Sequence, residues 1–186
     1  MKSLLLLASA VLAAVALSAC SGTQATTTGS NPTVPVAITH QLNGNVLTAV
    51  ATVTNNTEAP ISFVKNRNFY SISVTTADPA DSRVVFPKIV TFPPVVSNQV
   101  VNVAPGQSTS FSASFQIRPL NELAYDLERV DQPFSPRSYQ VMQSRKLRTT
   151  FEYNHFPRFL NERSKKVAKG FLTVPIKSQA PFQLPR

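Results

Sequence analysis

The chain has 186 residues, with 18 Lys and Arg against 9 Asp and Glu, a formal net charge of +9. That length can bury about two thirds of its unfolded surface without a stapling disulfide or metal. One cysteine excludes an internal disulfide framework, and among only five glycines no phosphate-cradling loop or Gly-x-Ser-x-Gly elbow occurs.

Met1-Lys2 is followed by an unbroken apolar run from Leu4 to Ala16. The run falls short of the roughly 20 residues that span a bilayer and has the length and flanks of a signal-peptide core. Leu17-Ser18-Ala19-Cys20 closes it, and this tetrad resembles the bacterial lipobox, an aliphatic residue and two small ones before cysteine. The resemblance implies cleavage after residue 19 and a lipidated Cys20 carrying a thioether-linked diacylglycerol, with no cofactor beyond that covalent lipid. Several buried acyl chains at about 0.8 kcal/mol per CH₂ make such an anchor effectively permanent. Ser21 in place of Asp resembles the pattern for sorting to the outer membrane, periplasmic side, in a two-membrane bacterium.

Residues 20–33 then read as a lipidated cysteine and flexible tether: Ser21 to Thr33 has no large apolar residue and cannot offset its ordering entropy by burial. Its r.m.s. reach is roughly 20 Å. From Val34 a period of two takes over. Val34-Val36-Ile38-Leu42, Leu47-Ala49-Ala51-Val53, Tyr70-Ile72-Val74 and Phe111-Ala113-Phe115-Ile117 each alternate with small or polar residues, the pattern of antiparallel strands with one wet face. Asn43-Gly44 suits a type I′ hairpin. Asn55-Asn56-Thr57 reads as a turn in preference to a glycosylation acceptor, and Ala104-Pro105-Gly106-Gln107 as a type II turn. Weaker strands are expected at 61–64, 84–86 and 100–103, stronger ones at 145–153 and 170–176. Leu120, Leu123, Leu127 and Val130 follow helical spacing, so one short satellite helix is expected between Pro119 and Pro133.

These signals predict a mainly β chain: an antiparallel β-sandwich of about eight strands over residues 34–177, with a basic C-terminal hairpin at 145–176 and a Pro-containing tail at 178–186. The segments VTNNTEAPISF and VNVAPGQSTSF resemble small bacterial immunoglobulin-like domains, in which a strand ending in Asn turns precedes a short Pro-led strand and an Ala-Pro-Gly turn opens another. The resemblance spans Val34 to Ile117 and implies an immunoglobulin-like sandwich. The chain lacks the cysteine pair and tryptophan of antibody-type domains.

Catalytic groups are sparse. His40 lies on the apolar phase of its strand, as expected of a hydrogen-bonded edge histidine, and His155 follows a strand end. The acidic cluster Glu122, Asp126, Glu128 and Asp131 falls on the expected helix. No catalytic or metal-ligating set is predicted, so the chain reads as no enzyme; an enzyme stays as a third alternative, because a sequence does not show whether two carboxylates face across a cleft.

Charge is the remaining signal. Residues 21–117 carry four Lys/Arg against three Asp/Glu, residues 118–186 thirteen against six, so an anionic partner is sought in the C-terminal third. Strand alternation places Lys146 and Arg148 outward, with Lys169 and Lys177 on the same face if 145–153 pairs with 170–176. Arg158, Arg163, Lys165 and Lys166 lie between these strands beside Phe156 and Phe159. The expectation is a membrane-anchored interaction or scaffold module of the cell envelope with a protein partner. The alternative is binding of anionic lipid, lipopolysaccharide or another acidic ligand through the eight basic residues. An exported address argues against nucleic acid.

Overall fold

A computed structural model describes residues 33–66, 69–77, 82–84, 97–120, 124–130, 139–155, 160–172 and 175–185. Cys20, Arg158 and the segment before Thr33 lie outside these residues. The described chain is mainly β and antiparallel. One sheet has six strands: β1 (Val36–Asn43), β2 (Val46–Thr54), β7 (Ser108–Pro119), β8 (Tyr125–Arg129), β9 (Tyr139–Met142) and β5 (Ser82–Val84), in that spatial order. A second has β11 (Ile176–Gln183), β10 (Lys146–Tyr153) and β4 (Tyr70–Thr76), and a third pairs β3 (Ile61–Val64) with β6 (Val100–Val103).

The alternation read from the sequence sets which face is buried. On β2 Leu47, Ala49, Ala51 and Val53 are buried, opposite Phe111, Ala113 and Phe115 of β7. Their outward neighbours pair as hydroxyls: Thr48 with Ser114 at 3.1 Å, Thr52 with Ser110 at 3.0 Å and Thr54 with Ser108 at 2.9 Å. Small polar pairs of this kind let the outer face stay wet while the ladder stays in register.

The core is held by aromatic contacts across sheets. Phe111 packs against Tyr70 of β4 (4.8 Å between centroids), Phe151 and Tyr153 of β10 (5.3 and 5.8 Å) and Phe63 of β3 (6.1 Å). The buried Tyr153 phenol accepts a 2.8 Å hydrogen bond from the Val64 N–H, joining the two smaller sheets into one layer facing β7. Burial raises the Tyr153 pKa, so the phenol stays neutral.

The turns refine the expectations. The β1–β2 loop is Gly44-Asn45, since Asn43 pairs with Val46, and only Gly44 has positive φ (54°). That is the glycine-first II′ pattern, in place of the I′ turn expected at Asn43-Gly44. Gly106, at φ 73°, and the Gln107 N–H to Ala104 carbonyl bond (3.0 Å) make the expected type II turn. The amide of the fully buried Asn55 donates to the carbonyls of Ala59 (2.8 Å) and Val103 (2.9 Å) and accepts from Thr57 N–H (2.9 Å). Asn55 therefore closes this end of the sandwich as a turn.

Three expectations are corrected. The segment expected as a helix contains β8, which pairs with β7 along Phe115–Pro119. A second period was hidden in it: Tyr125 and Leu127 are buried, and Arg129 lays its guanidinium 6.0 Å from the Phe115 ring. Leu120 and Val130, which carried the helical period, are exposed. The tail expected at 178–186 is mostly strand β11, with Ser178 and Ala180 inward beside Ile176. Small inward residues weaken the apolar alternation, and Pro181 is tolerated because β11 is an edge strand. Consequently β10 pairs with 176–183, and the expected 145–176 hairpin does not form. Phe171 makes only an isolated bridge with Ser62. The short helix α1 (Glu162–Val167) stands between them instead, capped by the Asn161 side chain accepting from Ser164 N–H at 2.7 Å.

Phe111→Ala removes the ring that meets both smaller sheets. It is expected to lower unfolding stability by about 3–5 kcal/mol, read as a reduced urea midpoint without loss of cooperativity.

Candidate functional site

Both histidines are built into the packing. His40, on edge strand β1, places Nε2 2.7 Å from the Thr149 hydroxyl of β10 and stacks on Phe182 of β11 at 4.7 Å. It thus ties the six-stranded sheet to the three-stranded one. Burial pushes its pKa down to about 4. His155 stacks on Phe171 at 4.3 Å and leans on Phe69 at 6.1 Å, and burial lowers its pKa as well. Among the described residues no group of three His, Cys, Asp or Glu is placed to hold a metal ion.

The basic residues separate into two groups. Lys146 and Arg148 are exposed on the outer face of β10, where their cross-strand neighbours are the uncharged Gln183, Pro181 and Thr75. Lys177 points outward as expected, but sits opposite Glu152 and pairs with it at 2.6 Å. Six residues of strand, roughly 20 Å, separate that position from Lys146. The second group is on and after α1: Arg163, Lys165, Lys166 and Lys169 are exposed, and Lys165 meets Glu162 at 2.7 Å.

Hydrogen bonds fix where the second group lies. The Ser62 hydroxyl accepts from Lys169 N–H (2.8 Å) and Gly170 N–H (3.2 Å) and donates to Asn102 Oδ1 (2.6 Å). Asn102 in turn donates to the Val167 carbonyl at 3.0 Å. Asn102 precedes Val103, whose carbonyl is capped by Asn55, and the Thr33 carbonyl accepts from Asn56 N–H at 2.9 Å. The end of α1 is therefore linked through neighbouring residues to the point where the described chain begins.

At the opposite end is an open cavity of about 270 Å³. Leu42, Ile117, Pro119 and Leu184 supply apolar lining, with Tyr125 and Arg145 beside them. The Tyr125 hydroxyl donates to the Ser144 carbonyl at 2.7 Å. Burial raises its pKa to about 12, against the opposing pull of the Arg145 charge. One Arg145 guanidinium nitrogen donates to the Pro185 carbonyl. The strand alternation could not reveal this site, because its walls come from the ends of three strands and the segments that flank them. Arg145 was legible only as a strand-opening residue.

No protein-family model, curated protein or solved structure matches the chain, so the site is defined by its geometry.

His40 titrates against burial. Its folded pKa of about 4 lies below the ordinary 6.5, so the neutral ring's contribution is present above pH 6.5 and is lost as pH falls toward 4. With the ring only partly buried, a loss of about 1–2 kcal/mol is expected across that window. Urea midpoints at pH 7 and 4.5 should differ less in His40→Gln than in the wild type, with His155 supplying part of the remaining dependence.

Proposed function

We propose that the chain is a lipoprotein of a bacterial envelope, held by acylated Cys20, whose β domain acts by binding a partner and not by catalysis. The observation that carries the reading is Leu17-Ser18-Ala19-Cys20 at the end of an apolar run, in a chain with no other cysteine. The composition from Ser21 to Thr33 supports it, since a stretch without a large apolar residue suits a spacer ahead of strand β1. The two histidines, each with its pKa lowered by burial and its ring stacked on a phenylalanine, suit a packing role better than acid–base work. The immunoglobulin-like character of the sandwich belongs to this proposal; the Asn55 and Gly106 turns that carried the resemblance support it.

Expressed with labelled fatty acid in a two-membrane bacterium, the wild-type chain should incorporate label and fractionate with the outer membrane. Cys20→Ser should incorporate none. Label retained by that variant would overturn the anchor.

A second reading is favoured by the position of the α1 cations. Arg163, Lys165, Lys166 and Lys169 lie on the side where the chain leaves toward Cys20, so a short tether would hold them near anionic headgroups. The unlipidated full chain should bind phosphatidylglycerol vesicles at low salt and release them as salt approaches 0.15 M. Lys165→Glu with Lys166→Glu should abolish the binding, and Lys165→Gln with Lys166→Gln should weaken it, whereas Lys146→Glu with Arg148→Glu should leave it intact. Equal loss in both pairs would mean that net charge, and not the tether-side group, is responsible.

A further inference from the structure

The cavity at the other end differs from the tether side in having an apolar floor beside its cation, Arg145, whose charge meets no carboxylate among the described residues. The geometry points to this cavity as a seat for the C-terminal residue of a peptide, its apolar side chain among Leu42, Ile117 and Leu184 and its free carboxylate on the Arg145 guanidinium. This deepens the binding-module reading, and rests on it only for the direction in which the cavity faces.

Four observations carry it. The guanidinium spends one nitrogen on the Pro185 carbonyl, which steadies it while leaving further N–H donors for a carboxylate. Leu42 and Ile117 remain half-buried at this end of the core, so an apolar group seated there completes burial that the fold leaves unfinished. A volume of about 270 Å³ lies just under the range of roughly 300–1,000 Å³ typical of sites for whole drug-sized molecules, which suits one residue better than a long chain. Finally, the exposed amides of Asn45 and Gln143 are part of the lining, where they can meet the N–H and C=O of an incoming backbone.

The electrostatics agree. Lys146 and Arg148 follow Arg145 on the outer face of β10 with uncharged cross-strand neighbours, so this end presents a local positive potential that steers an anionic terminus. A C-terminal amide lacks the charge, and an internal peptide segment lacks the carboxylate geometry. The strand lengths place the site away from the anchor: β1 runs eight residues from the Thr33 side to the Gly44-Asn45 turn, roughly 26 Å.

The test uses the full chain with methyl-labelled Leu and Ile, titrated with N-acetyl-Ala-Leu as the free acid, with the same dipeptide amidated, and with octanoate. The free acid should shift the Leu42, Ile117 and Leu184 methyl resonances saturably, and the amide should bind about tenfold or more weakly. Arg145→Met should cause a similar loss. Because that substitution also removes the Pro185 contact, Ala124→Phe supplies a second variant that fills the cavity and leaves Arg145 in place; it should abolish the shifts while the rest of the spectrum stays folded. Equal binding of acid and amide, no shift at these methyls, or undiminished binding by both variants would overturn the assignment. Octanoate binding with the dipeptide acid inert would overturn it too, and would reassign the cavity to a free acyl carboxylate. None of these results bears on fatty-acid labelling of Cys20, so failure here is distinct from failure of the anchor.

Discussion

Phe111 is the point through which the three sheets become one domain. Its ring touches β3, β4 and β10 from a strand at the centre of the six-stranded sheet. The β3–β6 pair is the element most dependent on it, since two strands alone are marginal in water. Phe63 anchors that pair against Phe111 and Tyr153, and the Val64 N–H finds its acceptor in the Tyr153 phenol. The Ser62 and Asn102 side chains that hold the end of α1 sit on this same pair of strands. The position of the α1 cations is therefore a consequence of the aromatic packing beneath them.

The two ends of the sandwich are finished differently. At one end Asn55 is fully buried and takes up three neighbouring backbone groups, and the type II turn at Gly106 adds its own bond back to the Asn55 carbonyl. That network pairs the backbone groups of the two turns with one another, so it closes them together. At the other end Leu42 and Ile117 are half-exposed, and the closing contacts are the Tyr125 hydroxyl and the Arg145 side chain on backbone carbonyls. An end tied by hydrogen bonds and an end that opens on a cavity give the domain a direction.

Much of this was legible in the sequence, and what was not has definite physical causes. Strands β1, β2, β4, β7 and β10 follow apolar alternation because each buries one face, whereas β3, buried at all four residues, and β6 were legible only as short apolar runs. β11 was hidden because two of its inward residues are Ser178 and Ala180, which carry little apolar signal yet fill the narrow space beside β10. β8 was hidden by a coincidence: Leu120, Leu127 and Val130 fit a helical period, while the buried pair is Tyr125 and Leu127. An open β7 edge decided between the two, since pairing along Phe115–Pro119 satisfies the backbone of both strands. The basic residues were legible as a count but not as a grouping. Only the register shows that Lys177 meets Glu152 whereas Lys146 and Arg148 meet uncharged neighbours.

That difference in pairing matters more than net charge for any electrostatic role. A lysine paired with a glutamate, as Lys177 and Lys165 are, contributes little field beyond the pair, which leaves Arg163, Lys166 and Lys169 to carry the field of the α1 group; at physiological salt an exposed charge is screened over about 8 Å. On the proposed anchoring, the spacer's reach of roughly 20 Å exceeds that screening length, so the α1 cations feel a membrane only in the part of the ensemble that brings them close. The anchor already supplies a high effective concentration. The cations then need to add no affinity; a weak attraction is enough to bias which side faces the bilayer. Such a bias would turn the open cavity outward, where a partner approaching from the envelope would meet it first.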